Sequence, residues 1–256
     1  MSNKKIGSLE WAQMTGGNLS KNERLRLIAQ ALLMRLTSMP ARGMRKARML
    51  RTDAARIDLD GIRIPDTRAA RDAFELCAET SPAFLLNHCM RTYLWGALLA
   101  AGQRLPYDEE LFYVAALLHD LGLAKNHHGN VHCSCFAAQG ALAVRQFAKD
   151  RHWPEARQHA LSDAICLHLN IRVTKHQGIE AHLLHEGASL DVTGSRFNRI
   201  HARDRDDVLS RHPRAGFKAE MAGLMKKEAQ AAPASRAGFL VGLGLTRMIR
   251  AAPFAE

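Results

Sequence analysis

Leu111-Phe112-Tyr113-Val114-Ala115-Ala116-Leu117-Leu118-His119-Asp120-Leu121-Gly122 is an apolar helical run that delivers a histidine and an aspartate side by side. Gly122 is then placed to release the helix. Two adjacent metal-binding side chains at the buried end of such a helix are costly unless something compensates them. A divalent metal would do so. Adjacent His and Asp occur by chance in many chains, so the weight of the pair depends on whether further ligands stand at workable positions.

The whole chain narrows the choices. Of 256 residues, 47% are hydrophobic and 24% charged, which is ordinary globular composition. Aromatics are few, Ala and Leu are plentiful, and alternating Val/Ile/Thr runs are rare, so an all-α protein is expected. No apolar run reaches membrane-spanning length, and no membrane partner is expected. Met1-Ser2-Asn3-Lys4-Lys5 is not followed by an apolar core of signal type, which sets a cytoplasmic location as the expectation. Five cysteines (Cys77, Cys89, Cys133, Cys135, Cys166) without scaffold-like spacing read as reduced thiols. The formal net charge of +11 attracts anions without specifying one. Arg42, Arg45, Lys46, Arg48 and Arg51 occur without an acid and read as a solvated basic face. No aromatic residue is interleaved to stack on bases, so no nucleic-acid partner is expected.

Taken in order, residues 1–19 look like a loosely held lead-in. Ser20-Lys21-Asn22-Glu23 has capping-box form, with Leu25, Ile28, Leu32 and Leu36 following at helical spacing until Pro40 and Gly43 interrupt. Residues 57–64 alternate around Asp60-Gly61 and admit a short hairpin. Helices are expected from Pro65-Asp66-Thr67 to about Glu79, and over Ala83–Ala101 behind a Ser81 cap with Pro82 at the first position. Asp108 is placed to cap the apolar run of the opening. Further helices are expected at about 134–149, over 154–169 ending with His168, over 179–190 finishing at Asp191, and near 213–229 and 235–250. A polar connection fills 194–212.

His88 lies on an amphipathic helix and Asp191 at the end of one. One histidine, the His119-Asp120 pair and a late aspartate from three helices would converge in a bundle core. Such donors suit Zn, Fe, Mn or Ni. A lone core histidine or a capping aspartate explains each residue taken singly, so pattern alone leaves both outcomes open. A rival metal site uses the loop residues His127, His128, His132, Cys133 and Cys135, but CxC with scattered histidines matches zinc spacing poorly.

The ordered set His88…His119-Asp120…Asp191 resembles the H…HD…D pattern of the HD-domain superfamily of metal-dependent hydrolases. Ile64-Pro65-Asp66-Thr67, Asn87-His88-Cys89-Met90-Arg91-Thr92-Tyr93, residues 115–123, Ala164-Ile165-Cys166-Leu167-His168 and Asp191-Val192-Thr193-Gly194 are similar to blocks of its cyanamide-hydratase-like branch. The resemblance runs from about residue 62 to 195. It implies a helical bundle of HD type over 62–256, preceded by a basic helical extension over 1–61. It also implies His88, His119, Asp120 and Asp191 as ligands of a single divalent metal, Zn or Fe first and Mn or Ni next. His168 matches a histidine expected to project toward the same pocket. The chain departs from the branch at Phe136-Ala137, where phenylalanine-glutamate is common, and at Leu169-Asn170-Ile171, where small residues are expected.

The expected activity is that of a hydrolase or hydro-lyase in which a metal-activated water attacks a small electrophile. Asp120 would orient that water and His168 would move protons, since imidazole titrates near neutrality. Asn87, Arg91 and Lys125 are the candidate substrate-binding residues, with pairing to a buried carboxylate such as Asp66 the alternative for Arg91. A nitrile-like substrate follows from the nearest branch. A phosphohydrolase of nucleotides or other phosphomonoesters is the alternative, and a non-catalytic basic binding module is the alternative from another class. The partner expected is a small molecule, with homo-oligomerisation left open.

Overall fold

The computed structural model describes residues 5–46, 54–124 and 135–256, with residues 34–46 taken as backbone only. It is all-α. Twelve α-helices and no β-strand are found among the described residues. They are α1 (Leu9–Thr15), α2 (Lys21–Lys46), α3 (Arg68–Thr80), α4 (Ala83–Gln103), α5 (Glu109–Leu118), α6 (Phe136–Asp150), α7 (Glu155–Leu167), α8 (Ile179–Thr193), α9 (Ala202–Arg211), α10 (Phe217–Ala231), α11 (Arg236–Gly242) and α12 (Leu245–Arg250).

Helix α4 is the axis of the bundle. It is buried on every face from His88 to Ala100, as a helix apolar all round must be. Helix α8 crosses it where neither helix carries a side chain. A Cβ on Gly187 would lie 2.3 Å from the Thr92 carbonyl, and one on Gly96 would lie 2.3 Å from the Phe112 ring. Two glycines thus set the distance between the backbones that carry His88 and Asp191. Local signals place the neighbouring elements: Thr67 Oγ1 accepts from the Ala70 amide to start α3, and Asp108 Oδ1 accepts from the Leu111 amide at 2.9 Å to start α5.

Several sequence expectations are corrected. Residues 57–64 form no hairpin; Leu59–Gly61 is a 3₁₀ turn held by Asp58, which accepts from the Asp60 amide, with Leu59 buried beneath it. Ser81 does not cap α4. Its amide closes α3 onto the Cys77 carbonyl, and Pro82 holds the cap position. The lead-in contains α1, whose Leu9, Trp11 and Ala12 join the core, because Ser8 caps it, the Leu9 amide donates to Asp163 Oδ1 at 3.0 Å and the Trp11 indole donates to Glu23. Helix α2 continues through Pro40 and Gly43 to Lys46. The polar connection contains α9, which buries only Asp204 and Val208. Residues 235–250 are two helices divided at Gly244, whose φ of 94° suits glycine alone. Asp191 lies inside the last turn of α8, since the helix runs on to Thr193.

Candidate metal centre

His88, Arg91 and Trp95 stand at i, i+3 and i+7 on α4, so they share one face. The close crossing of α8 brings Asp191 against that face. Its Oδ1 accepts from Arg91 Nε at 2.8 Å, Trp95 Nε1 at 2.9 Å and Arg214 Nη1 at 2.9 Å. Its Oδ2 accepts from Arg91 Nη2 at 2.9 Å and His88 Nδ1 at 2.7 Å. Burial opposes ionisation of Asp191, but Arg91 and His88 outweigh it and hold the carboxyl well below the usual range.

Asp191 therefore meets His88 on the ring edge opposite to Nε2. Among the described residues, His88, His119 and Asp120 form the group whose donor atoms lie close enough to share an ion, and Asp191 stands behind it. Both its oxygens are engaged by five N–H groups, and its reach into the centre is through the His88 ring.

The other half comes from the end of α5. The helix stops at Leu118, and His119 and Asp120 continue into a 3₁₀ turn over Leu121–Leu123. Gly122 does not release the helix. It lets this turn lie on the start of α6: a Cβ there would stand 2.1 Å from the Phe136 carbonyl. His119 Nδ1 donates to the Ala116 carbonyl at 2.8 Å, which can only accept, so Nε2 carries the lone pair. His88 is fixed in the same tautomer by Asp191. The two Nε2 atoms face each other at 3.2 Å, and Asp120 Oδ2 lies 3.4 Å from one and 3.3 Å from the other.

Two imidazole Nε2 atoms and a carboxylate oxygen thus converge in a buried place; burial opposes a charge on His88, but Asp120 and Asp191 outweigh it and raise its pKa, a pull on positive charge that a metal would answer. The ring of Phe217 covers His88 at 5.1 Å between centroids, and Phe136 flanks His168 at 6.0 Å, so the surroundings are apolar. At metal–ligand bonds of about 2.0–2.2 Å, donor atoms sit roughly 3.0–3.5 Å apart around a tetrahedral or octahedral ion. The residues present fit a divalent metal.

His168 closes the cluster. Its Nδ1 donates to the Ile165 carbonyl at 2.6 Å, which leaves the Nε2 lone pair 3.7 Å from Asp120 Oδ1. Burial, and then the neighbouring His119, push its pKa down to about 3. The expectation that it titrates near neutrality is corrected by this burial: it is a neutral acceptor at neutral pH. His185 Nδ1 donates to the His168 carbonyl at 3.0 Å and so braces that turn, while His182 is occupied by the Val173 carbonyl.

The remaining candidates divide. Arg91 is fully buried, and its Nη1 donates to the carbonyls of His212 at 3.1 Å and Pro213 at 2.8 Å. Its partner is Asp191; Asp66 pairs with Arg71 at 2.5 Å. Asn87 is half-buried, one residue before His88. Lys125, His127, His128, His132 and Cys133 lie outside the described residues. Sequence reasoning missed Trp95, Arg214 and His185 as members of this assembly. The i+7 spacing from His88 was a signal for Trp95, whereas Arg214 sits in a turn that carries none.

The HD domain family model matches residues 85–206, from α4 through α9. Over those residues the chain is similar to an HD domain. The match supports membership of the HD superfamily of metal-dependent hydrolases. HD domains bind divalent metals, and the family match covers every member of the His88–His119–Asp120 group. No curated protein matches the chain.

Proposed function

We propose that the chain is a metal-dependent hydrolase or hydratase acting on a small electrophilic substrate, of the kind found in the cyanamide-hydratase-like branch. The observation that carries this reading is the buried convergence of His88 Nε2, His119 Nε2 and Asp120 Oδ2, which lie 3.2, 3.3 and 3.4 Å from one another. These three would hold one ion, Zn or Fe. When bound, such an ion acidifies water and polarises an electrophile.

The chain's own residues supply orientation and dryness. Asp191, clamped by two guanidiniums and an indole, keeps the proton of His88 on Nδ1 and fixes the ring plane, as an outer carboxylate does for a metal-binding imidazole. The Ala116 and Ile165 carbonyls do the same for His119 and His168. Unprotonated His168 Nε2, 3.7 Å from Asp120 Oδ1, is placed to accept a hydrogen bond from water or substrate beside that carboxylate. Arg91 positions Asp191, and four of its five N–H groups are taken by Asp191 and two backbone carbonyls.

A phosphate ester needs cations aimed at its oxygens. Arg91 gives four of its five N–H groups to Asp191 and two carbonyls, and Arg214, which lies over the rings of Phe217 and Phe254 at 4.4 and 4.6 Å, keeps Nε and Nη2 without a hydrogen-bond partner among the described residues. The test is a paired screen on metal-loaded protein: consumption of cyanamide and small nitriles against phosphate release from nucleotides. Turnover of the first set alone supports the proposal. Phosphate release alone assigns the centre to phosphomonoesters, and no turnover by metal-loaded protein contradicts both.

A further inference from the structure

Two of the five N–H groups on Asp191 are kept there by a side chain far along the sequence. The indole of Trp95 and the guanidinium of Arg214 both donate to Asp191 Oδ1 at 2.9 Å. Arg214 Nη1 also donates to the Asp191 carbonyl, but among the described residues its buried Nε and Nη2 have no hydrogen-bond partner. What fixes the rest of that guanidinium is aromatic. Its central carbon lies 4.4 Å from the ring centre of Phe217 and 4.6 Å from that of Phe254. The same Phe254 ring stacks on the Trp95 indole, with 6.0 Å between centroids and 27° between planes. A desolvated cation over a ring and two stacked rings both attract, so one buried side chain steadies both donors.

The segment that carries Phe254 is itself fastened to the site. Gly194 ends α8 three residues beyond Asp191, with φ 71°, and a Cβ there would stand 2.2 Å from Pro253 Cδ. Lys218 Nζ donates to the Phe254 carbonyl at 2.8 Å, and Phe197 meets the Phe254 ring edge-on at 5.1 Å. Arg214, Phe217 and Phe254 all lie beyond residues 85–206, where the HD family model matches. We propose that Phe254 is a positioning residue of the metal centre. By holding Trp95 and Arg214 on Asp191 Oδ1, it keeps Asp191 on His88 Nδ1 and so keeps His88 Nε2 aimed at the ion. The working unit therefore extends past the matched residues to the segment after α12. The proposal rests on reading His88, His119 and Asp120 as a metal centre.

The test uses Phe254→Leu and Phe254→Met in the full chain, which fill the space without a π face. Phe147→Leu is the comparison: Phe147 is also buried, carries the Arg151 guanidinium 3.5 Å over its ring, and stands about three turns beyond Phe136 on α6. Two quantities are read at a temperature where circular dichroism shows every variant folded. One is the hydrogen-exchange rate of the Trp95 indole N–H in metal-free protein, by NMR, and the other is Co²⁺ affinity by titration. Both Phe254 variants should exchange that proton about ten-fold or more faster and bind Co²⁺ about ten-fold or more weakly at unchanged stoichiometry, while Phe147→Leu matches the parent in both. Unchanged exchange in the Phe254 variants, faster exchange with parental Co²⁺ affinity, or losses of equal size in Phe147→Leu overturn the proposal. Faster exchange in the Phe254 variants of a parent that takes up no Co²⁺ supports the hold of Phe254 on Trp95 and sinks the metal reading alone.

Discussion

Asp191→Asn separates a carboxylate that orients a ligand from one that is a ligand. The substitution keeps shape but removes the negative charge to which two buried guanidiniums, Arg91 and Arg214, are attached. Breaking one side of a buried ion pair costs about 3–5 kcal/mol, because the stranded charge stays in the interior. In a domain of this size each kcal/mol moves the melting temperature by about 2–4 °C, so a fall of roughly 6–20 °C is expected in differential scanning calorimetry. Metal affinity should drop by about 10–100-fold, the usual loss for an outer-shell partner. Binding should persist, since Nε2 of His88, Nε2 of His119 and Asp120 remain. Titration with Co²⁺ reads this directly: the Asp191→Asn protein should saturate at the same stoichiometry with the same ligand-field spectrum, at higher concentration. Loss of binding as complete as in His119→Ala, or a melting temperature within about 1 °C of the parent, would refute the orienting role.

Other perturbations follow from the same geometry. Gly122→Ala places a Cβ 2.1 Å from the Phe136 carbonyl, a backbone atom that cannot rotate away, so a loss of about 1–3 kcal/mol and weaker metal binding should appear together in urea melts and metal titration. Gly187→Ala meets the Thr92 carbonyl at 2.3 Å and should destabilise by a similar about 1–3 kcal/mol, separating α4 from α8. Burial lowers His185 to about 4, so the unfolded chain binds a proton between that value and the ordinary 6.5 that the folded one does not. Its contribution is intact above 6.5 and is lost as pH falls toward 4, by at most about 3 kcal/mol; urea melts at pH 7 and 4.5 should show a smaller difference in His185→Gln.

Much of the centre was legible because its signals are local. An apolar helix ending in His119-Asp120 and a histidine inside an apolar helix are contiguous patterns, and both occupy the places their sequence suggested. The partners of Asp191 were not legible, because they are set by what α8 meets after folding: Trp95 seven residues beyond His88, and Arg214 in a turn between α9 and α10. Gly187 carries no signal of its own until α4 is known to pass 2.3 Å from its missing side chain. The titration of His168 was misjudged because burial is a tertiary quantity. In the fold, the long amphipathic elements declared themselves, whereas α1 is too short for a period and α9 buries too little of its surface for one. Pro40 was taken for a stop that the backbone of α2 passes through.

The central claim is that His88, His119 and Asp120 hold one divalent ion. It is tested most directly by metal analysis after equilibrium dialysis of the parent chain and His119→Ala against Zn²⁺ and Fe²⁺, with circular dichroism to confirm that both are folded. The parent should retain about one equivalent and the folded variant should retain none. A folded His119→Ala that keeps the ion, or a parent that binds neither metal, would contradict the account.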